Sequence, residues 1–162
     1  MQQSKILKSS LLVILLSLAA VISTGCAYTR AKLDLDTSAF LSFKISPAVN
    51  PDSSGRASPV VLNLYYLTDN RQFEQEEILS LLQSAEDRLG KDFIDHVRLK
   101  EFIPGEKREE SFPLTTQVKY IGVVAEYVQY EEAQAKLLIP IEPNKKNSYF
   151  VKVDKLALSL KQ

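Results

Sequence analysis

Three groups of side chains in this 162-residue chain have types that could do chemistry. They are the only histidine, His96, with Asp92 and Asp95 beside it; the acidic run Glu74, Glu76 and Glu77; and the only cysteine, Cys26. A histidine base works only within hydrogen-bond reach of a nucleophile and an orienting carboxylate. A short helical turn over residues 92–96 would point these neighbours apart, and the chain has no Gly-x-Ser-x-Gly elbow to present a serine. The glutamates lack the alternating oxygen ligands of a calcium loop and read as the acidic first turns of a helix, set against its positive dipole end. We therefore expect a packing or surface histidine, no catalytic residue, no metal site and no cofactor.

Cys26 is different because of what precedes it. Lys5 and Lys8 lead into residues 11–22, an apolar and small-residue run interrupted only by Ser17. Twelve helical residues span about 18 Å, short of a ~30 Å hydrocarbon core, so the run reads as a signal-peptide segment and not as a membrane span. Ile22-Ser23-Thr24-Gly25 then enters Cys26, and the stretch resembles the lipobox at which bacterial lipoproteins are cut and diacylated on the new N-terminal cysteine. A lone cysteine in an exported chain would otherwise be an unpaired thiol in an oxidising compartment. Ala27 stands where an Asp usually retains a lipoprotein in the inner membrane, so the resemblance implies sorting to the outer membrane. At ~0.8 kcal/mol per buried CH₂, three acyl chains anchor a protein for practical purposes permanently. Residues 1–25 are thus expected to be a signal, 26–31 a short lipid-anchored tether, and 32–162 the folded domain.

Removing residues 1–25 takes away two lysines, leaving 18 basic against 20 acidic residues, so neither nucleic acid nor an anionic membrane surface is the obvious partner. The remaining 137 residues suit one domain with a real core, and with Cys26 acylated no disulfide can form within the chain.

The elements that would carry any site are mostly strands. Leu33 and Leu35 alternate with charged residues, and Leu41, Phe43 and Ile45 do so again after a break at Asp36-Thr37-Ser38. Residues 47–59 hold three prolines, a glycine and several turn formers, a loop by composition, with Asn50, Asp52 and Arg56 as its polar reach. Residues 60–67 (VVLNLYYL) are apolar on both faces, which predicts a strand packed on a sheet by one side and on a helix by the other. That helix is expected to start at Asp69 or Asn70, to place Ile78, Leu81, Leu82, Ala85 and Leu89 on one face, and to stop at Gly90. The whole helical insertion covers about 70–96.

Pro104-Gly105 fits the centre of a type II turn, and residues 106–110 read as a solvated charged turn. Residues 118–127 form a second central strand in which Gly122 and Ala125 leave room for a bulky neighbour. Residues 133–141 alternate up to Pro140, which marks an edge or an end, and 142–147 form a polar turn. Tyr149, Val151 and Val153 alternate in one phase and Leu156, Leu158 and Leu160 in the other, so a bulge or kink near Asp154-Lys155 is expected. Seven or eight strands with one helical insertion make a mainly β, two-sheet sandwich.

Asn50-Pro51-Asp52, Gly55-Arg56, Pro59-Val60-Val61, Tyr65, Leu67, Phe73, Leu89-Gly90, Pro104-Gly105-Glu106 and residues 120–125 (YIGVVA) follow the lipobox in an order with a precedent. Together they resemble the outer-membrane lipoprotein of bacterial type VI secretion systems, the TssJ family. The resemblance implies a transthyretin-like β-sandwich with added helix, facing the periplasm. It implies a partner, the periplasmic C-terminal region of the large inner-membrane component TssM. It also implies a contact through the loop joining the first two strands, here Asn50, Pro51, Asp52, Ser53, Ser54, Gly55 and Arg56 within residues 47–59. A second class of function stands beside it: a lipid-anchored module holding a small periplasmic ligand or a carbohydrate. The lack of tryptophan counts against sugar stacking.

Overall fold

Strict alternation of side chains makes the first strand. In a computed structural model, which describes residues 36–161, β1 (Thr37–Ile45) buries Thr37, Ala39, Leu41, Phe43 and Ile45 and turns the residues between them outward. It pairs antiparallel with β4 (Lys107–Leu114) on one side and parallel with β7 (Lys146–Val153) on the other, and β8 (Leu158–Lys161) closes the sheet in the order β4-β1-β7-β8. The second sheet has the order β3-β2-β5-β6, with β2 (Leu62–Leu67), β3 (Phe93–Arg98), β5 (Tyr120–Ala125) and β6 (Lys136–Pro140), all antiparallel.

Every residue of β2 is buried, and the two faces go to different places. Leu62, Leu64 and Tyr66 join Leu41, Phe43, Ile121, Val123 and Val151 in the core between the sheets. Tyr65 and Leu67 join Phe73, Leu81, Leu89 and Val124 in a second cluster beneath the helices α1 (Arg71–Gln75) and α2 (Ile78–Leu89). The layers therefore run sheet, sheet, helix, as the two-sided apolar character of residues 60–67 predicts. Gly122 serves that outer layer: a Cβ there would stand 2.5 Å from the Phe73 ring, so the strand admits α1 only because no side chain intervenes. Gly90, at φ +52, ends α2, and Gly105, at φ +81, sits in a turn closed by Glu106 N–H to Ile103 O at 3.1 Å.

Several boundaries differ from expectation, each for a physical reason. Thr37 and Ser38 continue β1 instead of breaking it, because both pair across the sheet and the Thr37 hydroxyl accepts the Asn144 N–H. The single helix is two, interrupted by extended backbone at Glu76 and Glu77. There the Lys136 ammonium donates to the carbonyls of Phe73, Glu74 and Glu76 at 2.9, 3.0 and 2.7 Å, taking acceptors that a continuous helix would use itself. The Asn70 side chain donates to Glu74 rather than capping α1, and Glu74 alone of the three glutamates lies in a first helical turn.

Within α2, Ser84 leaves helical geometry (φ −153, ψ 50). One turn earlier the Tyr65 hydroxyl donates to Leu81 O at 3.0 Å, an insertion into the ladder of the kind that kinks helices. Residues 92–96 are not a helical turn: a 3-10 turn (Gly90–Asp92) ends at Asp92, the first of them, and Phe93 opens β3. Residues 106–110 are not a solvated turn, since 107–110 belong to β4, an edge strand whose alternating charged side chains are compatible with backbone pairing. Residues 154–157 are a tight turn between β7 and β8, closed by Asp154 N–H to Ala157 O at 2.8 Å, so the phase change is a full chain reversal and not a bulge or kink within one strand. Leu33, Leu35, Cys26 and the apolar run before it lie outside the described residues.

Candidate partner-binding site

The β1–β2 connection is built on Asn50. Val49 buries completely beneath it, and Asn50 follows with φ +47, a left-handed conformation that Asn tolerates better than most residues. Its N–H donates to Lys155 O (2.9 Å) and its Nδ2 to Pro59 O (2.6 Å); its Oδ1 accepts the Val128 N–H (2.7 Å) and its carbonyl the Ser58 hydroxyl. One side chain thus joins the two ends of the loop to the β5–β6 connection. At 3 % exposure Asn50 holds the loop and cannot reach outward, which corrects its expected place among the surface polar groups. Pro51 is also buried, and its carbonyl accepts Gln129 Nε2 at 2.9 Å.

Beyond Pro51 the loop turns on Asp52. Its Oδ1 accepts the N–H groups of Ser54 (2.8 Å) and Arg56 (3.0 Å), and its Oδ2 pairs with the Arg56 guanidinium at 2.8 Å. Gly55, at φ +77, allows the reversal. The Arg56 N–H first, then the Arg56 guanidinium and Ser54 N–H, outweigh the opposing effect of desolvation and hold the Asp52 carboxyl below its ordinary range. Ser53, Ser54, Gly55 and Arg56 are exposed, the Arg56 side chain by 81 %. Of the seven residues expected at this site, then, Asp52, Ser53, Ser54, Gly55 and Arg56 form the accessible tip, while Asn50 and Pro51 form its base.

The β5–β6 connection escaped the sequence reading because Tyr127, Val128 and Tyr130 look like strand. It braces the tip through Gln129, exposes Val128 by 61 %, and is itself fixed by the Tyr127 hydroxyl, which lies 3.1 Å from both Asp154 O and Ala157 O. Three connections therefore meet at one end of the sandwich: 46–61, 126–135 and 154–157.

His96 sits elsewhere, on the helix-bearing face of the second sheet. Its ring stacks on Tyr65 (4.7 Å between centroids), and Nε2 lies 3.0 Å from Asn63 Oδ1. Asn63 Nδ2 donates to Glu126 Oε1 at 2.8 Å, and Arg98 binds both Glu126 oxygens at 3.1 Å. The ring's neighbours are thus an amide and a phenol, not the flanking aspartates. Burial first, with Arg98 adding to it, keeps the imidazole below its ordinary pKa against the pull of Asp95 and Glu126. Burial pushes Glu126 upward, but the bonds from Asn63 and Arg98 and the charge of Arg98 and His96 prevail and hold it low. Among the described residues no three His, Cys, Asp or Glu side chains converge as a metal site would need.

Comparison with known proteins agrees with this architecture. A family model described as type VI secretion lipoprotein, VasD, EvfM, TssJ matches residues 37–156. The lipoprotein TssJ1 from Pseudomonas aeruginosa superposes with a TM-score of 0.74 at 23% identity, over 78% of this chain and 95% of that one. Serratia marcescens Lip, a membrane-bound component of the type VI secretion system, gives 0.71 at 18% identity, over 78% and 98%. A chain in a structure described as the TssM C-terminal domain from EAEC gives 0.65 at 21% identity, again over 78% and 98%. No curated protein matches the chain significantly. With the family model spanning β1 to the turn before β8, the chain belongs to the type VI secretion lipoprotein family.

Proposed function

We infer that this lipoprotein is a non-enzymatic outer-membrane anchor of the type VI secretion membrane complex. It is acylated on Cys26, faces the periplasm, and binds the periplasmic C-terminal region of TssM through the β1–β2 loop. The observation that carries the reading is the construction of that loop: an exposed tip at Asp52–Arg56 mounted on a buried base. A tip already held by Asn50, Gln129 and its own Asp52–Arg56 pair loses little conformational freedom on docking, which is how modest interfaces become specific. The polar His96 network forms a satisfied surface of the second sheet, and we assign it no catalytic part.

The anchoring half of the reading is tested in cells. Cys26→Ser is expected to leave the protein out of the outer-membrane fraction and to abolish secretion. Normal fractionation and normal secretion by Cys26→Ser would overturn it.

A further inference from the structure

The outer face of the first sheet is not covered by any described element, and its charge is organised. Register places Lys44 directly opposite Lys107 on β4 and directly beside Lys152 on β7, so three lysines form one row across three adjacent strands. Like charges directly opposite one another destabilise a sheet, so the fold alone gives no reason for this row. Of the three, only Lys152 has an ion-pair partner among the described residues, Asp154 at 2.8 Å. One row away Glu109, Ser42 and Phe150 stand side by side, the Ser42 hydroxyl donating to Glu109 Oε1 at 3.4 Å, and Phe40, on the same face of β1, is 39 % exposed. A shallow depression of about 650 Å³ is lined by Phe150, Lys44, Lys107 and Arg108, with Glu109 as its one carboxylate. The opposite side of the domain has the other sign: residues 69–92, which form the helical layer, carry seven acidic and three basic side chains. The near-neutral chain thus gathers an excess of positive charge on one face and of negative charge on the other.

We propose that the outer face of β4-β1-β7 is a docking surface for the anionic phospholipid headgroups of a bilayer, with Lys44, Lys107 and Lys152 binding phosphates and Phe40 and Phe150 entering the interfacial region. A face carrying a basic row, an exposed Phe40 ring and a half-buried Phe150 ring matches a headgroup layer in charge and in amphipathic character. Chain length supports the same occupant. Asp36 enters this sheet at β1, and the ten residue steps back to Cys26 reach at most about 35 Å, so an acyl group there keeps the Asp36 end of β1 within that distance of a membrane. That distance rests on the Cys26 reading; the lysine row and the test below do not.

The test uses the chain from residue 26 onward carrying Cys26→Ser, which lacks an acyl group and retains all of residues 36–161, with both hydrophobic clusters and every described strand pairing. Cosedimentation is measured with vesicles of equal parts phosphatidylcholine and phosphatidylglycerol and with vesicles of phosphatidylcholine alone. Partitioning is expected with the anionic vesicles only, falling steeply as salt is raised. Each lysine near an anionic surface strengthens binding about fivefold, so Lys44→Ala/Lys107→Ala/Lys152→Ala should weaken it about a hundredfold without lowering the melting temperature. Arg71→Ala/Lys91→Ala, which removes two positive charges from the helical layer, should leave binding unchanged. Equal partitioning into both vesicle types, or equal loss in both variants, would overturn the proposal. So would salt-sensitive self-association without vesicle binding, abolished by the triple substitution, which would assign the face to the acidic layer of a second copy.

Discussion

Asn50 is the residue on which the site depends. Replacing it with Ala leaves the Val128 N–H and Pro59 carbonyl without their partner and places a Cβ-bearing residue with no local side-chain bonds at φ +47. Asn50→Ala is expected to cost about 2 to 4 kcal/mol in equilibrium unfolding, far more than a surface loop residue should. Composition revealed the loop but not this division of labour, because Asn is equally at home as an exposed turn former and as a buried bracket. Only the approach of Val128, 78 positions away, decides between them. The same limit hid Gln129.

His96 carries a second prediction at this scale. Its folded pKa lies below the ordinary 6.5, so as pH falls below 6.5 the unfolded chain takes up the proton first and stability declines until the folded value is passed. Glu126, held below its ordinary 4.5, adds a further loss as pH falls through its own folded value. Urea unfolding across this range should show both, and His96→Gln should remove the first while keeping the second.

Among the elements, the α layer depends on Gly122. Gly122→Ala would drive a methyl group into the buried Phe73 ring, and overpacking of this kind typically costs about 1 to 3 kcal/mol. A thermal melt checks it, and Phe73→Leu in the same chain should recover part of the loss by removing the opposing ring edge. The central elements were legible because their side chains state their burial: β1 by alternation, β2 by apolar residues on both faces, α2 by the spacing of Leu81 and Leu89. The edges were not. β4 pairs through its backbone while exposing Lys107, Glu109 and Ser111, so a charged run reads as loop although it is strand. The break between α1 and α2 is set by Lys136, some 60 residues downstream, and the reversal at 154–157 by the return of β8 onto β7. Contacts of this range leave no local periodicity to read.

As a whole the molecule is a sandwich of two sheets with a loop-bearing end, for which we propose a protein partner, and a face with an excess of basic charge opposite the helical layer. Shortening the β1–β2 loop separates the proposed binding role from the fold. The Asp52 N–H meets Arg56 O at 2.9 Å, so the chain already closes on itself across residues 52–56, and their removal takes away exposed tip without touching Val49 or the Asn50 bonds. The most direct measurement is calorimetric titration of the chain from residue 26 onward, carrying Cys26→Ser, against the periplasmic C-terminal domain of TssM, with and without residues 52–56. The account predicts at least about a tenfold loss of affinity in the shortened chain, as expected when an interface loses its central contacts, at an unchanged melting temperature. Unchanged affinity in a folded, shortened chain would contradict it.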